Sequence, residues 1–215
     1  MKNFTLLSIF LCLFNSSLFA CENCTEDAVK PWYMGGFVGV SLYPNVSTEK
    51  NEHTVMGRFS LGHVMVDFEP FQITLDAGIQ SGTSMRFLFP KYKVFALGGV
   101  PLEAKFSPLV DILPGIRTNL LEDCPFFIWL KAGVAYRQLK IDRDSVNSLR
   151  KVAPEILTGI GYVINDRAAL NLEYQYIFGG NPKLAVNPVT ETGVLRNIPS
   201  QQAVMLGFTF NFGGL

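Results

Sequence analysis

Apolar and polar side chains alternate with a period of two along almost the whole chain. In residues 168–178, one face carries Leu170, Leu172, Tyr174, Tyr176 and Phe178, and the other carries Asn171, Glu173 and Gln175. Residues 203–212 repeat this pattern. A period of two is the side-chain spacing of a β-strand whose two faces meet different surroundings. The pattern therefore predicts an all-β chain.

The connections between the predicted strands alternate between short and long. The strands are expected at residues 32–43, 53–65, 71–80, 106–120, 126–141, 151–164, 168–178 and 201–212. Short turns then fall at 66–70, 121–125 and 165–167, and long loops at 44–52, 81–105, 142–150 and 179–200. This is the arrangement of an antiparallel outer-membrane β-barrel, with turns in the periplasm and loops outside the cell. We therefore predict a transmembrane barrel of about eight strands.

The two faces of the strands indicate what lies inside and outside the barrel. A water-soluble barrel would bury its apolar face, whereas a barrel in lipid turns that face outward and has a polar interior. The aromatic-rich face and the short turns at one end favour the membrane. The predicted interior then contains an ion network of four cations and four anions, namely Arg58, Arg117, Lys131, Arg137, Asp76, Asp111, Glu155 and Glu173.

The predicted turns also specify which charged residues meet. Folding the chain about residues 66–70 brings Arg58 opposite Asp76, and folding about 121–125 brings Asp111 diagonal to Arg137. Such cross-strand pairs are within reach of long side chains. Eight strands leave an interior just wide enough for side chains. We therefore expect a filled barrel without a continuous water path.

Composition agrees with a membrane β-barrel and argues against nucleic acid as a partner. Hydrophobic residues make up 48% of the 215 residues and charged residues 17%, below the usual quarter of soluble domains. Lys plus Arg and Asp plus Glu each number 18, so the formal net charge is zero. A chain without excess positive charge gives no electrostatic reason to bind nucleic acid.

The N-terminus has the features of an export signal. Lys2 precedes an apolar run at residues 4–14, and a small residue, Ala20, follows a short polar stretch. This run is too short to cross a bilayer comfortably as a helix. We predict a signal peptide at 1–20, a periplasmic segment at 21–31 and the barrel at 32–215. Residues 18–21 also resemble a lipoprotein cleavage box, which would lipidate Cys21, and simple cleavage after Ala20 is the alternative.

Two cysteines are expected to meet on the periplasmic side. Cys124 lies in the predicted turn at 121–125, and Cys21 and Cys24 lie in the segment before the first strand. Thiols in the oxidising periplasm tend to pair. We predict a Cys24–Cys124 disulfide. A local Cys21–Cys24 bridge and intermolecular cross-linking are the alternatives.

Several motifs resemble a known family. They are Trp-Tyr-Met-Gly-Gly-Phe-Val-Gly at 32–39, Gly-Ile-Gly-Tyr at 159–162, Leu-Glu-Tyr-Gln-Tyr at 172–176, and the closing strand. Together they are similar to the OmpA-like eight-stranded outer-membrane barrels, including opacity-type surface proteins. In the closing strand Gly207, Phe208, Phe210 and Phe212 resemble the signal that bacterial barrel-assembly machinery recognises, although Gly-Gly-Leu follows the last aromatic residue. The resemblance implies residence in the bacterial outer membrane, with its lipid and lipopolysaccharide as partners.

No catalytic, metal or cofactor site is expected from the sequence. The two histidines are His53 and His63, and neither has the serine two residues away that lipid A deacylases require. Cys21 and Cys24 resemble a metal-binding pair, but no second pair or His cluster accompanies them. The barrel is therefore not expected to be an enzyme.

The long loops are the expected seat of function. The leading hypothesis is a structural and surface-interaction role of the adhesion type, the alternative is a narrow pore, and a lipid-modifying barrel enzyme is third. The loop at 81–105 combines aromatic or apolar with basic residues, namely Met85, Phe87, Phe89, Tyr92, Phe95 and Leu97 with Arg86, Lys91 and Lys93. Such a loop suits contact with lipopolysaccharide or with host surface molecules.

Overall fold

The computed structural model describes residues 32–44, 53–82, 84–87, 89–99, 102–119 and 124–212. The predicted signal peptide at 1–20 and the periplasmic segment at 21–31, with Cys21 and Cys24, lie outside the described residues. The elements are β1 (Trp32–Leu42), β2 (His53–Phe68), β3 (Phe71–Gln80), β4 (Ser84–Phe87), α1 (Lys91–Phe95), β5 (Leu102–Phe106), β6 (Leu109–Asn119), β7 (Phe126–Ile141), β8 (Leu149–Asn165), β9 (Ala168–Ile177), β10 (Lys183–Asn187), β11 (Thr192–Arg196) and β12 (Gln201–Phe212).

Eight of these strands close into an antiparallel barrel. Their order around the wall is β1, β2, β3, β6, β7, β8, β9 and β12, and β12 pairs with β1 over its length. Apart from the closing pair of β12 and β1, neighbouring barrel strands follow one another in sequence with only loop elements between them, so an up-and-down pattern generates the wall. The all-β class, the strand count and the barrel predicted from the alternation are therefore confirmed.

Two strand boundaries differ from the prediction by three residues, and the others differ by two residues at most. β2 continues to Phe68, so the first turn contains Glu69 and Pro70 instead of five residues. The sixth strand begins at Leu109, and Phe106 belongs to β5, because Ser107 and Pro108 separate the two strands. Proline has no backbone N–H with which to continue a strand ladder.

The long loops are folded and pack on one another. β5 extends the wall above β6 by pairing with the upper end of β7, where Ala104 faces Ile141. β4 pairs with β5, and β10 pairs with β11. Side chains of β5, β10, β11 and the adjoining segments share one apolar core, which consists of Tyr43, Leu97, Leu102, Ala104, Phe106, Leu139, Ile141, Val146, Leu184, Leu195 and Ile198. We call this unit of 89–99, 102–106, 142–148 and 178–200 the loop cap. The secondary structure and the common core of these loop segments were not predicted from the sequence.

The wall has an apolar outer face. On β7 the outward side chains between the two ends are Ile128, Leu130, Ala132, Val134 and Tyr136, all exposed. The other barrel strands alternate in the same way, with polar side chains buried on the inner face. An apolar belt around a polar interior is the arrangement of a barrel that crosses a lipid bilayer.

Among the residues that the structure describes, α1 is five residues long. None of the described helices is long and apolar enough to cross a membrane.

Candidate functional site

The predicted charged residues meet inside the barrel. Seven of the eight are buried, and Arg117 is half-buried. Their alternate positions on neighbouring strands place them all on the inner face of the wall. Burying a charge is costly unless an opposite charge or a hydrogen-bond partner accompanies it. The partners of each charge therefore determine what the interior can do.

The central ion pair joins Arg58 on β2 with Asp111 on β6. The guanidinium Nη2 lies 2.7 Å from Asp111 Oδ1, and both side chains are fully buried. β3 lies between these two strands, and the residue between the two partners is Gly78, which faces both Ser60 and Asp111. A Cβ atom at Gly78 would lie 2.5 Å from the Asp111 carboxylate and 2.6 Å from Arg58 Nη2. The missing side chain thus leaves the space through which the ion pair crosses a strand.

A second polar cluster forms around Asp76, and its members also cross a neighbouring strand at a glycine. The Tyr33 hydroxyl donates to Asp76 Oδ2 at 2.6 Å, and Lys131 Nζ donates to Oδ1 at 2.8 Å. The Tyr33 ring crosses β2 over Gly62, and the Lys131 stem crosses β6 over Gly115. Asp76 therefore has a partner on either side, two strands away in each direction.

Of the two predicted neighbour relations, that of Arg58 with Asp76 is wrong, and that of Asp111 with Arg137 is confirmed in register. Arg58 faces Gln80 instead of Asp76, because the turn at Glu69 is shorter than predicted and shifts the register of β2 on β3. Asp111 does lie diagonal to Arg137, because Ala135 faces Asp111. Its ion pair is nevertheless made with Arg58, across an intervening glycine.

The remaining interior charges have mainly uncharged partners. Arg137 donates from Nη1 to the backbone carbonyl of Pro199 at 2.7 Å and from Nη2 to Gln201 at 3.4 Å. It thereby connects the wall to the loop cap. Glu155 accepts a hydrogen bond of 2.6 Å from Gln175. Glu173 lies 3.9 Å from Arg58 Nη1, on the opposite side from Asp111.

Apolar side chains fill the layers between these charges. Toward the turn end, Phe127 packs against Trp129, and the Arg117 guanidinium lies 3.7 Å above the Phe127 ring centre. Another cluster joins five strands from opposite parts of the wall, and it consists of Phe37, Met56, Leu113, Leu157, Ala203 and Met205. Inward glycines again make room, since Phe37 lies over Gly207 and Trp129 over Gly159. The interior is thus built as alternating apolar and charged layers, which suits a structural role.

The histidines do not join this interior. His63 makes an edge contact with Trp32, with ring centres 4.5 Å apart, and His53 is exposed at the start of β2. Neither histidine is among the buried polar residues of the described ranges. Within the described ranges, no three potential metal ligands among His, Cys, Asp and Glu come together.

The residues of the loop at 81–105 divide between the core and the surface of the loop cap. Leu97 is buried and Phe89 packs against the same core. Lys93 Nζ donates to the carbonyl of Leu184 at 2.6 Å, which ties α1 to β10. Tyr92 and Phe95 are 70% and 72% exposed. The sequence did not show which of these residues are buried, because the core of the cap comes from loops far apart in sequence.

The proposed assembly signal occupies the strand that closes the barrel. Phe208, Phe210 and Phe212 are exposed on the outer face of β12, and Gly207 is buried on the inner face against Phe37. The arrangement follows the predicted alternation.

Comparisons with known proteins show which solved structures this barrel resembles. No protein-family model matches the chain, and no curated protein is significantly similar to it. The structure resembles that of the outer-membrane protein OprG of Pseudomonas aeruginosa, with a TM-score of 0.52, 12% identity, and coverage of 86% of this chain and 98% of that one. It also resembles Ail, the attachment invasion locus protein of Yersinia pestis, with a TM-score of 0.50, 12% identity, and coverage of 84% and 95%.

The closed wall, apolar belt and polar interior define an eight-stranded transmembrane β-barrel. Its fold is that of the OmpA-like and opacity-type barrels, as the sequence motifs indicated.

Proposed function

We propose that this barrel is a structural and surface-interaction protein without enzymatic activity, and that its loop cap is the interacting part. The barrel wall holds the cap through paired strands and through Arg137, which donates to the Pro199 carbonyl. Surface-interaction proteins commonly place function on loops supported by a rigid scaffold. The barrel-assembly machinery and the surrounding lipid are proposed as its partners during and after insertion.

The observation that carries this proposal is an exposed aromatic pair on the cap. The cap and the adjoining strand ends bury eleven apolar side chains in one core, yet Tyr92 and Phe95 on α1 are exposed. Lys91, one residue before Tyr92, is also exposed. Exposed aromatic side chains with adjacent basic ones are typical of protein interaction sites. A host surface molecule is the partner that we propose for this patch.

The experiment compares bacteria that display the protein with Tyr92→Ser and Phe95→Ser together against bacteria that display the unchanged protein. We expect the double variant to lose most of its attachment to host cells. The matched control is Val189→Ser, because Val189 is 89% exposed in the turn between β10 and β11 of the same cap. Equal attachment by all three strains, at equal surface amounts, would contradict the proposal.

Two other functions have less support. A narrow pore requires a water path, whereas charged and apolar side chains pack across the interior. A lipid-modifying enzyme requires a positioned base near a nucleophile, and the two histidines lie outside the polar interior. Ail is named an attachment invasion locus protein. Because of that name, we propose attachment of bacteria to host cells as the first assay.

A further inference from the structure

A polar recess opens at the turn end of the barrel interior. Its volume is about 450 Å³, open mouth included, and β6, β7, β9 and β12 contribute much of its lining. Arg117 and Asn211 are half-buried, whereas Trp129 and Glu173 are 6% and 3% exposed. The first two residues therefore lie toward the mouth, and the other two line the inner part. We call this site the turn-end recess.

Two hydrogen-bond donors of the turn-end recess have no acceptor among the described residues. The Arg117 guanidinium lies 3.7 Å from the centre of the Phe127 ring and has no ion pair or hydrogen bond within the described ranges. Asp67 lies in the same cross-strand row but accepts a hydrogen bond of 2.9 Å from Gln72 instead. The buried indole N–H of Trp129 also has no acceptor. Because a buried polar group without a partner is costly, the recess favours an occupant with acceptor atoms and negative charge.

The segment before β1 provides such groups close to the recess. Residues 22–31 contain one basic residue and three acidic residues, which are Glu22, Glu26 and Asp27. β1 begins at Trp32, at the turn end, and the next residue, Tyr33, lines the recess. A group that is attached by a short linker has a high effective concentration at its site, which a free carboxylate in solution lacks. The charge and the attachment of this segment therefore make it the favoured occupant.

Arg117 is within reach of this segment. β6, which contains Arg117, is the third strand from β1 around the wall, so the two are separated by about 14 Å at roughly 4.8 Å per strand. Asp27 lies five residues before Trp32, and these residues extend up to about 16 Å at roughly 3.3 Å per residue. The inward side chain of Arg117 shortens the remaining distance.

We propose that the segment before β1 folds back across the turn end, and that a carboxylate of Glu26 or Asp27 binds the Arg117 guanidinium in the turn-end recess. Charge-assisted hydrogen bonds between a carboxylate and a guanidinium are among the strong polar contacts of proteins. Glu173, at the inner end, repels a carboxylate and so confines it to the mouth. The bound segment covers Trp129 from solvent. This site lies at the opposite end of the barrel from the loop cap, so the inference is independent of the proposed function.

The fluorescence of Trp129 shows whether the recess is occupied. The chain has two tryptophans, so Trp32→Phe leaves Trp129 as the single emitter. Quenching by acrylamide, which is neutral, measures the access of solvent to the indole without responding to local charge. The test compares this protein, folded in nonionic detergent, with the same protein that also contains Glu26→Gln and Asp27→Asn. We expect the quenching constant to rise severalfold in the neutral variant, because its segment no longer binds Arg117.

The matched control removes another carboxylate at the same end of the barrel. Asp166 is exposed in the turn between β8 and β9, and Asp166→Asn should leave the quenching of Trp129 unchanged. All measurements are made with reductant, so that a disulfide between Cys24 and Cys124 does not hold the segment in place. Folding of every variant is checked by the difference in gel mobility between unheated and boiled samples.

A charge swap identifies Arg117 as the partner. Arg117→Glu should raise the quenching of Trp129, and the addition of Glu26→Arg with Asp27→Arg should lower it again. Both proteins have the same side chains in the recess, so the difference between them reports the segment alone. Where Arg117→Glu prevents folding, the neutral variant still decides the question, because Glu26 and Asp27 precede the first strand.

Two additives distinguish the segment from a free carboxylate. A synthetic peptide of residues 22–31 should restore low quenching to the neutral variant, and sodium acetate at the same ionic strength should not. Protection by acetate that equals protection by the peptide would show a general carboxylate site and would overturn the proposal. Equal quenching of the protein with its acidic segment and the neutral variant would overturn it as well.

Discussion

At the scale of single residues, inward glycines determine how the long polar side chains of the barrel are paired. Tyr33 reaches Asp76 over Gly62, and Arg58 reaches Asp111 over Gly78. In each case the glycine faces the long side chain or its partner across the sheet, so partners two strands apart can meet. The interior network therefore depends on positions that have no side chain.

Gly78→Ala tests this dependence. A methyl group at Gly78 would lie within 3 Å of both the Arg58 guanidinium and the Asp111 carboxylate. Overpacking of this kind costs about 1–3 kcal/mol, and we expect the free energy of unfolding to fall by that amount. The control is Gly36→Ala on the outer face, where a Cβ would meet no atom within 4 Å. Urea unfolding in detergent measures the free energy of unfolding of both variants. A similar decrease for Gly78→Ala and Gly36→Ala would contradict the role of Gly78.

The Arg58–Asp111 pair gives a second prediction at this scale. Arg58→Ala leaves Asp111 as a buried, unpaired charge, which costs about 3–5 kcal/mol. Replacing both partners, with Arg58→Met and Asp111→Leu, removes the unpaired charge and should restore most of that loss. Urea unfolding of the three proteins gives the comparison. A double variant that is as unstable as the single one would show that the two residues do not act as a pair.

At the scale of strands, the order of elements could be predicted well from the sequence, and the contacts across the barrel could not. A two-residue period specifies which face each side chain occupies, so Asp76 and Glu173 were placed inside correctly. Register depends on the length of each turn, and the turn at Glu69 was predicted too long. The fold of the loop cap depends on a core that joins residues such as Leu97 and Leu184, which are remote in sequence and have no periodic signal. Inward glycines opposite long side chains were the signal that sequence reasoning missed.

The closing strand provides a prediction about assembly. Phe210 on β12 and Phe59 on β2 are both 51% exposed on the lipid-facing side, so their loss removes similar contacts with lipid. If β12 contains the signal that the assembly machinery recognises, Phe210→Ser should lower the amount of folded barrel in cell membranes, and Phe59→Ser should not. Both variants should refold equally well in detergent. Immunoblots of unheated membranes compare the folded amounts, and equal amounts in cells would remove the support for a signal in β12.

The turn between β6 and β7 provides a prediction about disulfide pairing. Cys124 is half-buried there, at the same end of the barrel at which β1 begins with Trp32. Residues 25–31 can extend about 20 Å at roughly 3.3 Å per residue, which is enough for Cys24 to reach this end. We expect peptide mapping without reductant to find a Cys24–Cys124 disulfide in protein from the periplasm. A Cys21–Cys24 peptide, an intermolecular link, or a Cys124 that is alkylated without reductant would each contradict it.

At the scale of the whole molecule, the layers of the interior decide whether the barrel conducts ions. Reading β7 from the turn end, the inward side chains are Phe127, Trp129, Lys131, Gly133, Ala135, Arg137, Leu139 and Ile141, so apolar and charged layers alternate along the axis. Lys131 is paired with Asp76, and Leu139 and Ile141 belong to the core of the loop cap. An ion that crosses the barrel would have to displace the paired charges and pass apolar layers on both sides of them.

We therefore expect no stable, uniform conductance when the pure, folded protein is inserted into planar lipid bilayers. The informative comparison is Arg58→Ala with Asp111→Ala, which removes the central ion pair and leaves space where two long side chains lay. If the interior side chains close the barrel, this variant should show small conductance steps that the unchanged protein lacks. Uniform steps from the unchanged protein would favour the narrow pore instead. A silent double variant, with folding verified by its gel mobility, would place the barrier in the remaining apolar layers and the loop cap.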